Sequence, residues 1–461
     1  MPQAIEAKKG SFGAYVDLEN GTIEREIFSD EAIYQAELER IFARAWNFMC
    51  HESQIPKTGD FFQTYIGEES VIVTRDKNGE LQVLLNSCRH RGNAVCRAES
   101  GNTRSFLCTY HGWTYDLEGK LIGVPGYKEY YKGCLDKAKW GLVKAAKVKS
   151  YKGFVFATMD ADAPELEEFL GDVGCLALDL FTGQGSLVAV EGVQKNVIGT
   201  NWKFAVDNLF DYYHGEISHA SAMMSGVVGS SGGGPLTNEE REAILAPMTH
   251  RVVLGEYGHA IGGPRLTPDF WKSQAEGTLM KQGVARGVRN EEWRTNPDVL
   301  AQIGEVGRDV RGHPSIFPNM WLANNGQIAM RMPKGHDKTE IWWFTFVPEE
   351  FTEEQRRARV TGANHAFGPA GLLEQDDGEN WDQSTRGTRG VIARRYPLNY
   401  QMNVGKGEVM RPAGGPSYID AALNEHGQLW TWRAWAEWMD AESWSDLMKN
   451  HSKAPEAGAL L

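Results

Sequence analysis

The sequence predicts an α+β protein, with a helix first, a small all-β module next and a longer mixed region after it. Three observations carry this prediction. Apolar residues recur at helical spacing before position 46, short β-branched runs alternate with turn residues from Gly59 to about Ala157, and helical and strand-like stretches are interspersed after Pro164. The chain has 461 residues, more than one hydrophobic core usually supports, so two domains are expected.

The first element is an amphipathic helix that Ser29 or Asp30 can cap and that runs to about Ala45. Its apolar face recurs at a spacing of three and four, at Leu38, Ile41, Phe42, Ala45 and Trp46. In the module that follows, the runs VIVT, LQVLL and GFVFAT are separated by turns rich in Gly, Asn and Asp, which is typical of short strands.

The mixed region contains several distinct stretches. The segment NWKFAVDNLFDYYHGEISHA is predicted to be helical, QIAMRMP and TEIWWFTFV to pair as a strand hairpin, and Thr352–Ala366 and Pro369–Ser384 to form two helices. The glycine content of Ser225–Thr237 predicts a flexible loop. The C-terminal tryptophans are expected to pack in a core: Trp430, Trp432, Trp435, Trp438 and Trp444.

Composition and charge exclude several classes of function. The formal net charge of -13 argues against nucleic acid as a partner, because phosphate binding requires a basic face. No apolar run reaches the length of a membrane span and the N-terminus lacks the apolar core of a signal peptide, so no membrane partner and a cytoplasmic location are expected. Six cysteines are too few for a disulfide scaffold, so any with a function are expected to bind metal or take part in catalysis.

Two Cys and His pairs lie close together in the β module, as Cys88-x-His90 and Cys108-x-x-His111. Two thiolates and two imidazoles suit zinc or an iron–sulfur cluster. A zinc finger would place two cysteines together and then two histidines, whereas each pair here is mixed. The mixed pairs favour a two-iron cluster with two thiolates on one iron and two imidazoles on the other.

Nearby residues fit this interpretation. Gly92 and Gly112 are expected to let the backbone approach the sulfides of a cluster. The other cysteines have no histidine at ligand spacing or lie outside the pairing, and are expected to be ordinary buried thiols: Cys50, Cys96, Cys134 and Cys175.

The motifs CRHRG and CTYHGW closely resemble the signature of the Rieske non-haem iron aromatic-ring-hydroxylating dioxygenases, large (alpha) subunit, and the resemblance covers nearly the whole chain. It implies an all-β Rieske [2Fe-2S] domain inserted in a larger helix-grip-like catalytic domain with an antiparallel sheet flanked by helices. The expected divisions are residues 1–45, an N-terminal helical segment packing on the catalytic domain, residues 46–158, the Rieske domain, and residues 159–461, the catalytic mononuclear iron domain.

A second metal site is predicted from His214 and His219, with acidic residues downstream in FGPAGLLEQDDGENW. Two histidines and one carboxylate form the facial triad of mononuclear Fe(II) oxygenases. Spacing alone does not choose among the four acids, Glu374, Asp376, Asp377 and Glu379. Leu373 and Asp377 share one helix face, and the resemblance also selects Asp377, which leaves Asp376 as a solvated or capping acid.

The family's NWK…D-x-Y-H-x-x-x-x-H pattern falls on Asn201, Trp202, Lys203, Asp211, Tyr213, His214 and His219. The resemblance implies that Asp211 links His214 to His111 of a neighbouring subunit, and therefore a ring of subunits. The Trp202–Asp211 interval is one residue shorter than in naphthalene- and biphenyl-type members and matches several aromatic-acid members, whereas EQDDGENW resembles the polycyclic-hydrocarbon group. A polycyclic or bicyclic hydrocarbon and an aromatic carboxylate such as a phthalate both remain open as substrates.

The implied activity is that of the oxygenase component of a multicomponent dioxygenase, which uses O₂ and NAD(P)H-derived electrons to form a cis-dihydrodiol. The implied cofactors are the [2Fe-2S] cluster and mononuclear Fe(II), and the implied partners are a ferredoxin or a reductase, with a small beta subunit (alpha3beta3) or as an alpha3 homotrimer. By family position, the substrate pocket contains Asn208, Leu209, Phe367 and Leu373, for which core packing is the alternative.

Other interpretations use the same residues. Arg331 lies on the predicted hairpin where many hydrocarbon members carry Trp, and either contacts a substrate carboxylate or lies on the surface. A Rieske monooxygenase or an O- or N-demethylase would use the same metals. A non-enzymatic electron-transfer protein or a zinc structural protein is a more distant alternative, because it leaves His214, His219 and Asp377 without a purpose.

Overall fold

A computed structural model of the chain describes residues 10–226, 237, 239, 249–275 and 291–458. The predicted loop at Ser225–Thr237 falls largely outside these residues. The chain forms two compact units, one of Leu38–Leu166 and the other of Met1–Glu37 together with Glu167–Leu461. In the part of the chain that the structure describes, no helix is both long and apolar enough to cross a membrane.

The smaller unit extends beyond the predicted 46–158 module at both ends, because side chains near its two ends bond to each other. The indole Nε1 of Trp46 donates to the carbonyl of Pro164 at 3.0 Å. The hydroxyl of Thr158 donates to the carbonyl of Arg44 at 2.8 Å. These bonds hold the entering and leaving segments to each other.

The α-helices of the described residues lie mostly in the larger unit. They are α1 Glu31–Glu37, α2 Leu166–Thr182, α3 Trp202–Asp207, α4 Gly215–Ser218, α5 Ala220–Met224, α6 Pro268–Ala275, α7 Pro297–Asp309, α8 Glu353–Ala366, α9 Leu372–Thr388, α10 His426–Asp440 and α11 Trp444–Asn450. The N-terminal helix begins where predicted, since the Asp30 carboxylate accepts the backbone N–H of Ala32 at 2.8 Å. Its α-helical part ends early, and Leu38–Phe42 continue as a π-helical turn.

The strands before residue 160 are β1 Val16–Asp17, β2 Thr22–Ile23, β3 Asn47–His51, β4 Asp60–Ile66, β5 Glu69–Arg75, β6 Leu81–Leu85, β7 Ser100–Asn102, β8 Phe106–Leu107, β9 Thr114–Tyr115, β10 Leu121–Gly123, β11 Lys147–Tyr151 and β12 Phe154–Thr158. The later strands are β13 Leu187–Ala189, β14 Gln194–Ile198, β15 His250–Leu254, β16 Ala260–Pro264, β17 His313–Ile316, β18 Met320–Ala323, β19 Gln327–Pro333, β20 Thr339–Pro348, β21 Leu398–Asn399, β22 Val409–Met410 and β23 Tyr418–Ala421.

The smaller unit is built from short antiparallel sheets, as its alternating strand and turn pattern predicts. One sheet has the order β6-β5-β4-β7, a second β10-β9-β8 and a third β11-β12-β3. Its hydrophobic core includes Phe61, Ile72 and Tyr115, and the two motif cysteines Cys88 and Cys108 belong to the same buried cluster. The motif loops are therefore anchored in the core of this unit.

The larger unit is organised around a ten-stranded antiparallel sheet with the order β13-β20-β19-β18-β17-β16-β15-β23-β22, in which β14 also pairs with β20. The predicted hairpin is confirmed as β19 and β20, with Ala329 opposite Trp343 and Arg331 opposite Ile341. Because side chains alternate across a strand, these four residues share one face of the sheet. The α+β fold with an antiparallel sheet flanked by helices is thus the predicted one.

Within the larger unit, a buried ion pair joins the stretch that ends at Glu37 to the stretch that follows the smaller unit. Glu37 Oε1 lies 2.6 Å from Lys203 Nζ, and both side chains are fully buried. Trp202 and Trp435 donate their indole N–H groups to the same carboxylate, at 2.7 and 2.8 Å. The tryptophans predicted to pack in the core are all at least 95% buried: Trp430, Trp432, Trp435, Trp438 and Trp444.

Candidate active site

The two motif loops of the smaller unit have the same local structure. In each loop the cysteine carbonyl accepts the backbone N–H of the glycine four residues later. Gly92 donates to Cys88 at 2.8 Å, and Gly112 donates to Cys108 at 2.9 Å. Both glycines have positive φ, 76° and 72°, a conformation that residues with a Cβ rarely adopt. A Cβ on Gly112 would also lie 2.8 Å from Pro125. Glycine is therefore required by the loop itself, independently of any bound cluster.

The loops sort their four predicted ligands by type. The thiols of Cys88 and Cys108 are buried and within hydrogen-bond reach of each other. The rings of His90 and His111 meet edge to face with their centroids 4.5 Å apart, and His111 is exposed. Two sulfurs on the buried side and two imidazoles on the outer side match a two-iron cluster in which each iron takes one kind of ligand.

Neighbouring side chains support the cysteine sulfurs. The Tyr115 hydroxyl lies 3.2 Å from Cys88 Sγ and accepts the backbone N–H of Arg89 at 3.1 Å. Burial and the neighbouring Cys88 raise the pKa of Tyr115, so its hydroxyl remains a donor toward the sulfur. Asn93 places its amide nitrogen 3.7 Å from Cys108 Sγ. Hydrogen bonds to sulfur are one of the features that set the reduction potential of such clusters.

The remaining cysteines follow the prediction only in part. Cys50 and Cys96 are buried thiols, as expected, and Cys175 is half-buried. Cys134 is exposed, so its prediction as a buried thiol was wrong. It lies in a turn after β10, where its thiol bonds the carbonyl of Lys132 at 3.4 Å instead of facing a core.

The larger unit brings together the three side chains predicted to form a mononuclear metal site. His214 Nε2 is 3.2 Å from His219 Nε2 and 3.4 Å from Asp377 Oδ1, and His219 Nε2 is 3.5 Å from the same oxygen. Among the described residues, no other group of three or more His, Cys, Asp or Glu has its ligand atoms within 4.8 Å of one another. Two imidazoles and one carboxylate are the ligand set of the facial triad in non-haem Fe(II) oxygenases, so this group could hold a metal ion.

The sequence predicts one continuous helix for this stretch, and this prediction was wrong. The two histidines converge because the helix is broken between them and α3. Helix α3 ends at Asp207, and after one 3-10 turn the backbone is extended at Asp211. The Asp211 carboxylate accepts the backbone N–H of Tyr213 at 2.7 Å and of His214 at 3.2 Å, which competes with helical bonding. On a continuous helix, residues five apart would point about 140° from each other, so the break is what aligns them.

Each imidazole has a carboxylate at its outer nitrogen. Asp211 Oδ2 lies 3.4 Å from His214 Nδ1, and Asp376 Oδ2 lies 3.5 Å from His219 Nδ1. The prediction that Asp376 is a solvated or capping acid was wrong. Asp376 and Asp377 are adjacent on one turn of α9, and both carboxylates contact the histidines. Such outer partners fix the tautomer and the orientation of a metal-binding imidazole. The carboxylate of Asp377 also has a partner, since the side chain of Asn208 forms a hydrogen bond with it.

Burial shapes the protonation of the site. It lowers the pKa of His219 to about 4, with the charge of His214 acting in the same direction, so His219 is neutral at pH 7 and keeps a lone pair for a metal. Burial raises the pKa of Asp377 to about 7, against the opposing charge of His214. A divalent cation would favour the ionised carboxylate, and the donor set fits Fe(II) in both kind and number.

One of the predicted pocket residues, Phe367, lies against aromatic rings of the sheet. Phe367 stacks on Trp343 with centroids 4.8 Å apart and meets Trp321 edge to face at 5.0 Å. Leu209 is buried and Leu373 is half-buried. The stacked pair provides a flat apolar surface of the kind that an aromatic ring prefers.

Sequence reasoning missed two aromatic contributors on this face, Trp343 and Trp321, although Trp343 lies on the predicted hairpin. Glu374 was considered only as a candidate metal ligand, and the structure places it one helical turn before Asp377. Arg331 is only 2% exposed, so the surface alternative for it was wrong. Its strand lies inside a ten-stranded sheet and packs against α3, a burial that no local pattern indicates.

Comparisons with known proteins agree with this geometry. Residues 45–152 match the Rieske [2Fe-2S] domain family and residues 178–441 match the ring hydroxylating alpha subunit (catalytic domain) family. The chain is 36% identical to the biphenyl dioxygenase subunit alpha of Paraburkholderia xenovorans (strain LB400), over 94% of each chain, and 34% identical to the benzene 1,2-dioxygenase subunit alpha of Pseudomonas putida, again over 94% of each.

Among solved structures, a naphthalene 1,2-dioxygenase with indole bound in the active site superposes with a TM-score of 0.80, at 29% identity, covering 94% of this chain and 96% of that one. The two family matches and the relatives together span nearly the full length of this chain. The chain therefore belongs to the alpha subunits of the aromatic-ring-hydroxylating dioxygenases, an oxidoreductase family with a Rieske domain and a catalytic domain.

Proposed function

We propose that Cys88, His90, Cys108 and His111 hold a Rieske [2Fe-2S] cluster, and that a mononuclear Fe(II) binds in the larger unit. The observation that carries the second assignment is the convergence of His214, His219 and Asp377, with one ligand atom from each within 4.8 Å of the others. The protein is then the oxygenase component that cis-dihydroxylates an aromatic ring with O₂ and NAD(P)H-derived electrons.

Iron bound by this triad would supply O₂ activation, since three protein ligands leave coordination positions open. The chain's own residues bind and orient. Asp211 and Asp376 hold the two imidazoles, Asn208 holds the Asp377 carboxylate, and Phe367 with Trp343 offers the ring a dry surface. Exclusion of water strengthens the polar interactions at such a site.

The partners follow from the separation of the two centres into two units. A ferredoxin or a reductase is proposed to deliver electrons to the cluster. We further propose that Asp211 bonds His214 on one side and His111 of the partner subunit on the other, which requires a ring of alpha subunits, with or without a small beta subunit. The exposure of His111 in a single chain is consistent with this role. A cytoplasmic location is proposed for the assembly.

The products of the purified oxygenase with its reductase test the reaction. Naphthalene, biphenyl and their carboxylates are supplied with ¹⁸O₂, and a cis-dihydrodiol that carries two labelled oxygens is expected. A product with one labelled oxygen, or a dealkylated product from a methoxylated ring, would instead support the monooxygenase or demethylase alternative. Colourless protein that contains zinc would support the structural alternative.

The cluster assignment is tested by the electron paramagnetic resonance of the reduced protein. A Rieske-type signal is expected, distinct from that of a four-cysteine ferredoxin, because imidazole ligands on one iron change the electronic structure of the pair. In His90→Cys a thiolate replaces a neutral ligand, so a lower reduction potential or loss of the cluster is expected. A four-cysteine type signal from the wild-type protein would contradict the assignment. Cys134→Ser, at an exposed thiol, is the matched control and should leave the signal unchanged.

A further inference from the structure

A buried guanidinium lies on the sheet face that the metal-site helices cover. Arg331 is 2% exposed, and its Nη1 donates to the carbonyl of Ala205 on α3 at 2.8 Å. Helix α3 leads directly into Asn208, whose side chain bonds to Asp377. Arg331 is thus bound to one of the two segments that build the mononuclear site.

The remaining edge of this guanidinium has no hydrogen-bond partner in the part of the chain that the structure describes. Nε and Nη2 of Arg331 are both buried, and neither makes a hydrogen bond to any residue that the structure describes. These two nitrogens form the side of the guanidinium that binds a carboxylate through two parallel N–H···O bonds. A buried charge with unpaired donors is costly, which favours a ligand that completes it.

Glu374 is the acid whose charge acts on Arg331, but it forms no hydrogen bond with the Nε and Nη2 atoms of Arg331. Glu374 is also 2% exposed, and its Oε1 accepts N–H groups from Asn196 and Trp343, each at 3.2 Å. Its Oε2 is buried without a hydrogen-bond partner among the described residues. Burial raises the pKa of Glu374 to about 7, against the opposing bonds from Asn196 and Trp343, so a substantial share of this group is neutral at pH 7. Burial lowers the pKa of Arg331 to about 9, which leaves it charged.

The position of Glu374 links this polar pair to the reaction. It precedes Asp377 by one turn of α9, and Trp343, which it bonds, stacks on Phe367. The indole N–H of Trp321, the other ring against Phe367, is likewise buried without a partner among the described residues. Unpaired donors therefore border the aromatic surface proposed above for the substrate ring.

We propose that the free Nε and Nη2 edge of Arg331 binds the carboxylate of an aromatic acid, so that the preferred substrates are aromatic rings bearing a carboxylate. This inference rests on the proposed function and specifies its substrate class. The ring lies against Phe367 and Trp343. The specificity-determining residue is Arg331.

The wild-type oxygenase with its reductase tests the proposal through matched pairs. Benzene and benzoate, naphthalene and 1-naphthoate, and biphenyl and biphenyl-4-carboxylate are compared by kcat/KM, and the carboxylate is expected to be preferred in at least one pair. A preference for the hydrocarbon in every pair overturns the proposal while leaving the dioxygenase function intact. Oxidation of neither member of any pair would instead count against the proposed function.

Variants test the residue. In Arg331→Gln the ratio of carboxylate to hydrocarbon kcat/KM is expected to fall by about 100-fold or more, mainly through KM, because a site built for a polar group discriminates strongly once that bonding is lost. Arg331→Lys keeps the positive charge but loses the paired N–H donors of the guanidinium, so it should retain only part of the preference for the carboxylate. Arg359→Gln, at a half-buried arginine on α8, is the control and should leave the ratio unchanged. An unchanged ratio in Arg331→Gln overturns the proposal.

If a variant loses turnover, ligand binding can still be measured through the melting temperature of the protein. 1-Naphthoate is expected to raise the melting temperature of the wild-type protein more than naphthalene does, because a ligand that binds the native state stabilises it. This difference should disappear in Arg331→Gln and persist in Glu374→Gln, which keeps the side-chain shape and removes the negative charge. If Arg331→Gln does not fold, the wild-type pairs and Arg331→Lys decide. Equal stabilisation by both ligands overturns the proposal.

Discussion

Asp377→Ala is expected to remove mononuclear iron and abolish oxygenation while the Rieske colour and its paramagnetic signal remain. The two histidines cannot hold Fe(II) as a facial triad once the only carboxylate within 3.5 Å of both Nε2 atoms in the described residues is gone. The cluster is spared because its predicted ligands lie in the other compact unit. Iron and acid-labile sulfide per protomer, measured together, separate the two centres.

The neighbouring acids on α9 provide matched controls for this variant. Asp376→Ala should retain iron, with affinity lower by about 10–100-fold, because Asp376 contacts only the outer nitrogen of His219. Glu379→Ala, at an exposed acid that bonds Gln383, should behave as wild type. If Asp376→Ala loses the iron and Asp377→Ala keeps it, the choice of ligand is wrong, although a triad would survive.

Asp211→Asn is expected to stop turnover while both metal centres stay loaded and the cluster stays reducible. The Asn side chain can still accept the backbone N–H groups of Tyr213 and His214 through its oxygen. Its NH₂ group then occupies the position of Oδ2, 3.4 Å from His214 Nδ1, where two donors face each other. Loss of such an oriented partner typically costs about 10–100-fold, and loss of the path between subunits should cost more.

The deciding measurement for Asp211 is a single turnover. The cluster is reduced beforehand, substrate and O₂ are added, and oxidation of the cluster is followed by its absorbance. Slow oxidation in Asp211→Asn supports the link to His111 of the partner subunit. Normal oxidation, with a stability change of at most about 1 kcal/mol, would mean that Asp211 only caps the backbone and would remove the main reason to expect a ring of subunits. Glu216→Gln, on α4 beside His214, is the charge-matched control.

Local spacing was sufficient for the parts of the molecule that depend on neighbours in sequence. The Cys and His pairs, the hairpin of β19 and β20, and the helices α8 and α9 could all be predicted, because their signals span a few residues. The fold class followed from the same patterns together with the chain length. The carboxylate of the triad needed the family resemblance, since four acids within one short stretch of α9 are equivalent by composition.

The remaining features depend on packing that local patterns do not encode. The break at Asp211 arises where a side chain captures backbone N–H groups, within a stretch whose apolar spacing is helical. The burial of Arg331 follows from the sheet register and from the packing of α3 on its strand, whereas an arginine on a hairpin is usually exposed. Asp376 was misjudged because its direction depends on the histidines, which reach it only after that break.

The two centres also differ in the length of chain that each one needs. The proposed Rieske ligands lie between Cys88 and His111, inside the continuous unit Leu38–Leu166. The triad joins His214 to Asp377, and the sheet beneath it closes only when β23 reaches β15. Because domains tend to fold as they emerge during synthesis, the cluster unit can be complete on the ribosome while the triad still lacks its carboxylate. Iron loading of the proposed second centre is therefore expected to be a late event in the protein's biogenesis, after most of the polypeptide has been made.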